Sequence, residues 1–171
     1  MPETFTIHSS DDSVAEAIVF TDEASLIAGA ADFIAASAME AIAARGSFAV
    51  ALSGGNTPKP VYQRLASAAI DWTRVHVFFS DERCVPPRDT RSNCHMARAA
   101  LLDRVKIPAG NVHRMRGEDP PEAAAEAYAA DLRDALGDEG RLDLVLDIHR
   151  LLLSSGLLGT RGRAGGRAAA C

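Results

Sequence analysis

Two groups of polar residues in this chain follow directly on short apolar runs, and their side chains suit chemistry on a charged ligand. Phe48–Leu52 runs into Ser53-Gly54-Gly55-Asn56-Thr57-Pro58, and Val75–Phe79 runs into Ser80-Asp81-Glu82-Arg83, with Ser92-Asn93 a little further on. In the first group the glycines allow positive φ and let a ligand approach the backbone with no Cβ in the way. Thr57 can cap a helix whose first residue, Pro58, has no amide proton to leave unpaired. The amides that remain, together with the helix dipole, favour an anion and above all a phosphate ester. The same glycines and cap also serve any strand-turn-helix unit, so spacing alone leaves phosphate binding and plain turn geometry both open. No Gly-Lys-Ser/Thr follows the glycines, and they do not extend to G-x-G-x-x-G, so nucleotide binding is not expected.

The elements that must hold these groups alternate. Thr4–His8 reads as a first strand and 23–44 as a long alanine-rich helix, with Leu26, Ile27, Ala30, Phe33, Ile34 and Ile42 forming its core stripe and Gly46 its stop. A buried strand at 48–52, a helix from 58 to about 67 and a second strand at 75–79 come next. Ser92 or Asn93 caps a helix reaching about Val105, Val112 heads a short strand, and Pro120-Pro121 opens a helix to Leu136 before Gly137. Leu142–Leu146 is the last strand. Such alternation predicts an α/β fold, an open and mostly parallel sheet with helices on both faces. In that architecture ligands bind outside the carboxyl ends of the strands, so 53–57 and 81–83 face one crevice.

Ser-Gly-Gly-Asn-Thr-Pro at 53–58, Phe-Ser-Asp-Glu-Arg at 79–83 and Ser-Asn at 92–93 resemble, in order and spacing, the 6-phosphogluconolactonase family. Asn111–Met115 and Leu142–Leu146 resemble its later segments, so the likeness covers most of the chain to residue 146. The resemblance implies a Rossmann-like sugar-phosphate fold and hydrolysis of 6-phosphogluconolactone to 6-phosphogluconate in the oxidative pentose phosphate pathway, with no cofactor. Glucosamine-6-phosphate deaminase, a relative of the same fold, fits Asp81-Glu82-Arg83 and the following Val-Pro-Pro less well.

Lactone hydrolysis needs an activated water, a stabilised oxyanion and a clamp on the remote phosphate. The phosphate falls to Ser53, Gly54, Gly55, Asn56 and Thr57, with Arg83 as charge partner because a guanidinium fork matches phosphate oxygens. Asp81 orients the base or the water. Glu82 reads equally as a surface carboxylate, and Asn93 equally as a helix cap. In the family the base is the histidine of a G-x-G-x-D-G-H-x-A-S segment after the last of these strands. Here Asp147-Ile148-His149 keeps only its D-x-H, which makes His149 the candidate base and a non-catalytic sugar-phosphate-binding remnant the alternative. His8, His76, His95 and His113 fall within predicted strands and helices, where structural or exposed roles are expected.

Composition sets the surroundings. The 171 residues suffice for one domain, placed at 1–146, and a net charge of −5 argues against a nucleic-acid surface. No membrane-spanning run and no signal peptide are expected, which points to the cytoplasm. Cys84, Cys94 and Cys171 contain no C-x-x-C, and Cys84, Cys94 and His95 lack a fourth ligand, so neither a disulfide framework nor a metal site is expected. From 147 to 171 the composition changes: four arginines stand against one aspartate, among glycine, alanine and leucine. That segment reads as an aberrant tail of the kind a shifted reading frame produces in a GC-rich gene. The oligomeric state is not legible.

Overall fold

The computed structural model describes residues 2–8, 14–137 and 140–147. His149 and, apart from Asp147, the 147–171 tail lie outside the described residues. A hairpin of β1 (Glu3–His8) and β2 (Val14–Val19) leads into α1 (Glu23–Arg45), β3 (Phe48–Leu52), α2 (Pro58–Leu65) and β4 (Val75–Phe79). After these come α3 (Asn93–Ala100), α4 (Pro121–Leu136) and β5 (Leu144–Val145). Among the described residues the parallel sheet has the order β4-β3-β5, and β1 pairs with β2 in a separate antiparallel pair.

Both faces of the parallel sheet are covered, as alternation along its strands requires. Phe48, Val50 and Leu52 of β3, with Val75, Val77 and Phe79 of β4, meet the helices α1, α2 and α3. Ala49, Ala51 and Phe78 point the other way, onto Tyr128 and Leu132 of α4. Small residues let α1 approach closely: its fully buried positions are Ala31, Ile34, Ala38 and Ala41. The Asp22 carboxylate caps it by accepting the Ser25 amide at 2.7 Å, and Gly46, at φ 84°, ends it.

Several sequence expectations need correction. β2 was not anticipated, because Val-Ala-Glu-Ala-Ile-Val alternates too weakly to separate from the helix that follows. Phe33, expected in the core stripe, is 44% exposed. The helix expected to reach Val105 stops at Ala100 and gives way to a 3-10 turn at Leu102–Arg104. The strand expected at Val112 is a single parallel bridge to Val77. By length and composition α1 is apolar enough to cross a bilayer, contrary to the expectation that no run is. Its buried stripe packs on the sheet, as in a core helix.

Candidate active site

The parallel strands deliver their carboxyl ends to one edge. The Ser80 amide donates to the Leu52 carbonyl at 2.8 Å, and the Ser80 hydroxyl donates to the Leu146 carbonyl at 3.0 Å. The turns after β3 and β4 and the exit of β5 therefore meet where open parallel sheets place ligands.

At the end of β3 the Ser53–Thr57 turn has the character of an anion cradle. Gly55 takes φ 104°, open to glycine at little cost. Among the described residues no hydrogen bond occupies the amides of Gly54, Gly55, Asn56 or Thr57, which precede the first turn of α2. Ser53 is 6% exposed, and its hydroxyl oxygen is buried without a partner. Two details depart from expectation. The Ser53 amide is not free, because it donates to the Tyr62 hydroxyl at 3.1 Å. Thr57 is helical at φ −68°, ψ −45° and makes no side-chain cap, so Pro58 alone spares the first turn an orphaned donor.

At the end of β4 the carboxylate and the amide take distinct places. Glu82 is no plain surface carboxylate. Its oxygens accept the amides of Asn93 at 2.7 Å and Cys94 at 2.9 Å, the Ser92 hydroxyl at 3.0 Å and the Arg83 amide at 2.8 Å, so an anion closes the N-terminus of α3. The cap of α3 is Ser92, whose hydroxyl accepts the His95 amide at 3.1 Å, and not Asn93. Asn93 is buried beside the first turn instead. Its side-chain amide donates to the Asp81 carbonyl at 3.0 Å, and a Cβ on Gly54 would overlap it. Asn93 thus locks the two turns together, a role that neither reading of the sequence contained. Asp81 is half-exposed, and Arg83, exposed, has its guanidinium 3.8 Å from the Asp81 carboxylate.

Two tyrosines that the motifs did not single out stand behind these turns. Tyr62 of α2 accepts from the Ser53 amide and donates to the Ser53 carbonyl at 2.9 Å. Tyr128 of α4 does the same to Phe79, at 2.9 and 3.0 Å. Burial pushes both phenols up to about 12, and the nearby Asp81 charge adds to the effect on Tyr62. Their sequence signal was a tyrosine on a buried stripe, whose hydroxyl must find a partner.

Away from the crevice, His113 stacks on Phe78 at 4.4 Å, shares a ring-nitrogen contact of 3.3 Å with His76, and meets the Asp131 carboxylate at 3.0 Å. Burial, and then the neighbouring His113, lower the pKa of His76. Cys94 is a buried free thiol. Among the described residues no cluster of three or more His, Cys, Asp or Glu could hold a metal ion.

Comparison with known proteins agrees with this geometry. A 6-phosphogluconolactonase from a Nostoc species is 43% identical over 133 residues, covering 75% of this chain and 55% of that protein. One from a Synechocystis species is 49% identical over 94 residues, 54% of this chain and 39% of that protein. The chain spans about half the length of the curated relatives it matches. The crystal structure of the Thermotoga maritima 6-phosphogluconolactonase superposes with a TM-score of 0.65 at 36% identity, covering 70% of this chain and 53% of that one. A monomeric glucosamine-6-phosphate deaminase shares the fold, with a TM-score of 0.60 at 20% identity. The family model for glucosamine-6-phosphate isomerases/6-phosphogluconolactonase matches residues 21–147, and the chain belongs to that family.

Proposed function

We propose that the crevice binds the phosphate of 6-phosphogluconolactone and of its product 6-phosphogluconate, and that its reaction is cofactor-independent hydrolysis of the lactone ester in the oxidative pentose phosphate pathway, in the cytoplasm. The observation that carries this reading is the buried, unpartnered Ser53 hydroxyl beside the free amides of 54–57. A buried hydroxyl left without a hydrogen bond costs about 1–3 kcal/mol, which a phosphate oxygen in the cradle removes by accepting it. Arg83 supplies the opposing charge, Asp81 orients the base or water, and His149 is the base.

Calorimetry tests the binding step. 6-Phosphogluconate binds and unphosphorylated gluconate does not. With a charge-assisted hydrogen bond worth about 1.5–3 kcal/mol, Ser53→Ala and Arg83→Ala each weaken binding about tenfold or more. Equal affinity for the two acids overturns the phosphate assignment. A binding-only reading is favoured by one observation: the glycines before Asp147-Ile148-His149 and the Ala-Ser after it are absent.

A further inference from the structure

We propose that Tyr62 and Tyr128 are positioning residues whose hydroxyls end the backbone ladders of β3 and β4 and so aim both turns into the crevice. On the β5 side of β3, the Ala49 carbonyl takes the Asp143 amide and the Ala51 carbonyl takes the Leu146 amide, both at 2.9 Å. The next residue facing that way is Ser53, and there the Tyr62 hydroxyl takes the amide and the carbonyl together. On the outer side of β4, the Val77 carbonyl takes the His113 amide at 2.8 Å. Two residues later the Tyr128 hydroxyl takes both backbone groups of Phe79.

Each hydroxyl stands where the neighbouring strand would supply its next partner. The amide and carbonyl of Ser53 and of Phe79 thus each have a partner at the end of their strand. One oxygen can serve both groups of a residue only while its N–H and C=O point the same way, as in extended chain. Ser53 is therefore held extended, with its hydroxyl as its one remaining donor, and the free amides begin at Gly54. The two tyrosines act from opposite faces of the sheet, because α2 packs in one core layer and α4 in the other. The effect on ligands rests on the phosphate reading above; the effect on the turns does not.

Amide NMR and hydrogen exchange on the full chain test this without a ligand. In the wild type the Ser53 amide exchanges slowly, as core amides do, while Gly54–Thr57 exchange as exposed ones; a Ser53 amide as fast as Gly55 overturns the proposal. Tyr62→Phe, which keeps the buried ring, shifts the resonances of Ser53–Thr57, and Tyr128→Phe shifts those of Phe79–Arg83. Calorimetry then separates the ligand effects. Tyr62→Phe weakens inorganic phosphate and 6-phosphogluconate by one common factor of about ten, the loss expected of a displaced polar contact. Tyr128→Phe weakens both as well, because the turn that it holds carries Arg83. Variants that melt at lower temperature but keep wild-type turn resonances and affinities show the tyrosines to be packing alone and overturn the proposal. A wild type that ignores phosphate but shows the exchange pattern and the shifts overturns the phosphate reading and sustains this one.

Discussion

At the scale of single residues, the turn after β3 depends on two glycines for different reasons. Gly55 needs its positive φ, so Gly55→Ala strains the backbone by about 1–2 kcal/mol, visible as a lowered urea midpoint. Gly54 has no room, because a Cβ there overlaps the Asn93 side chain. Gly54→Ala therefore lowers stability and perturbs the β4 turn as well, since Asn93 also holds the Asp81 carbonyl. A double mutant Gly54→Ala/Asn93→Ala recovers part of the loss; strict additivity of the two costs would show that the residues are not coupled. Glu82 is the second test at this scale. Glu82→Gln keeps the shape but removes the charge that three donors of α3 share, and destabilises by about 1–2 kcal/mol, the range of a lost helix cap. Unchanged stability on chemical denaturation would return Glu82 to the surface role. The glycines were legible because turn geometry is local. The partners of Glu82 and Asn93 were not, because each depends on the packing of α3 against a turn distant in sequence.

At the scale of elements, β5 shows how a strand with two residues in register is held. The Asp143 carboxylate accepts the Ala49 amide at 2.8 Å and pairs with Arg45 at the end of α1, so one side chain ties the approach to β5 to α1 and β3. Asp143→Ala leaves a part-buried amide without a partner and costs about 1–3 kcal/mol. Faster hydrogen exchange at Leu146 would accompany it, whereas unaltered exchange would mean that β5 is held by other contacts. The pairing of β4 with the segment after α3 carries a pH dependence. The pKa of His76 lies below its ordinary 6.5, chiefly through burial and then through His113, so between the two values the unfolded chain binds more protons. The contribution of His76 is thus complete above about pH 6.5, the ordinary value, and is lost as pH falls through the lowered one. Urea unfolding at pH 7.5 and 5.5 shows a loss on acidification that His76→Gln reduces; an identical loss in the variant would move the effect to another group. The alternation of β3, α2, β4 and α4 was readable because each element carries its own period and stop signals. β2 and the one-bridge contact at Val112 were not, because their pairing is set by neighbours and not by local pattern.

At the scale of the whole molecule, the half of the site proposed to bind phosphate and the half proposed to hydrolyse the lactone separate. The cradle, its two tyrosines and the cap of α3 are assembled by β3, β4 and their helices, all described and mutually bonded. The candidate base lies outside the described residues, in a motif that keeps D-x-H but not the glycine turn before it or the Ala-Ser after it. Binding needs the first half alone; hydrolysis needs a base placed against the ring carbonyl. A small misplacement of a catalytic group costs about a hundredfold, because the reacting atoms must meet within a narrow range of distance and angle. The expected outcome is that the chain retains 6-phosphogluconate binding while hydrolysing 6-phosphogluconolactone at least about a hundredfold more slowly than the Thermotoga maritima lactonase, measured against the spontaneous opening of the lactone. Restoring the glycine turn before Asp147 and the Ala-Ser after His149 raises the rate and leaves the affinity for 6-phosphogluconate unchanged. A chain that hydrolyses at the rate of that relative, and loses the activity in His149→Ala, would show that D-x-H suffices by itself. The same rate surviving that substitution would place the base elsewhere in the crevice, where Asp81 is the first candidate because its carboxylate stands beside the Ser53 turn, near enough to raise the Tyr62 pKa.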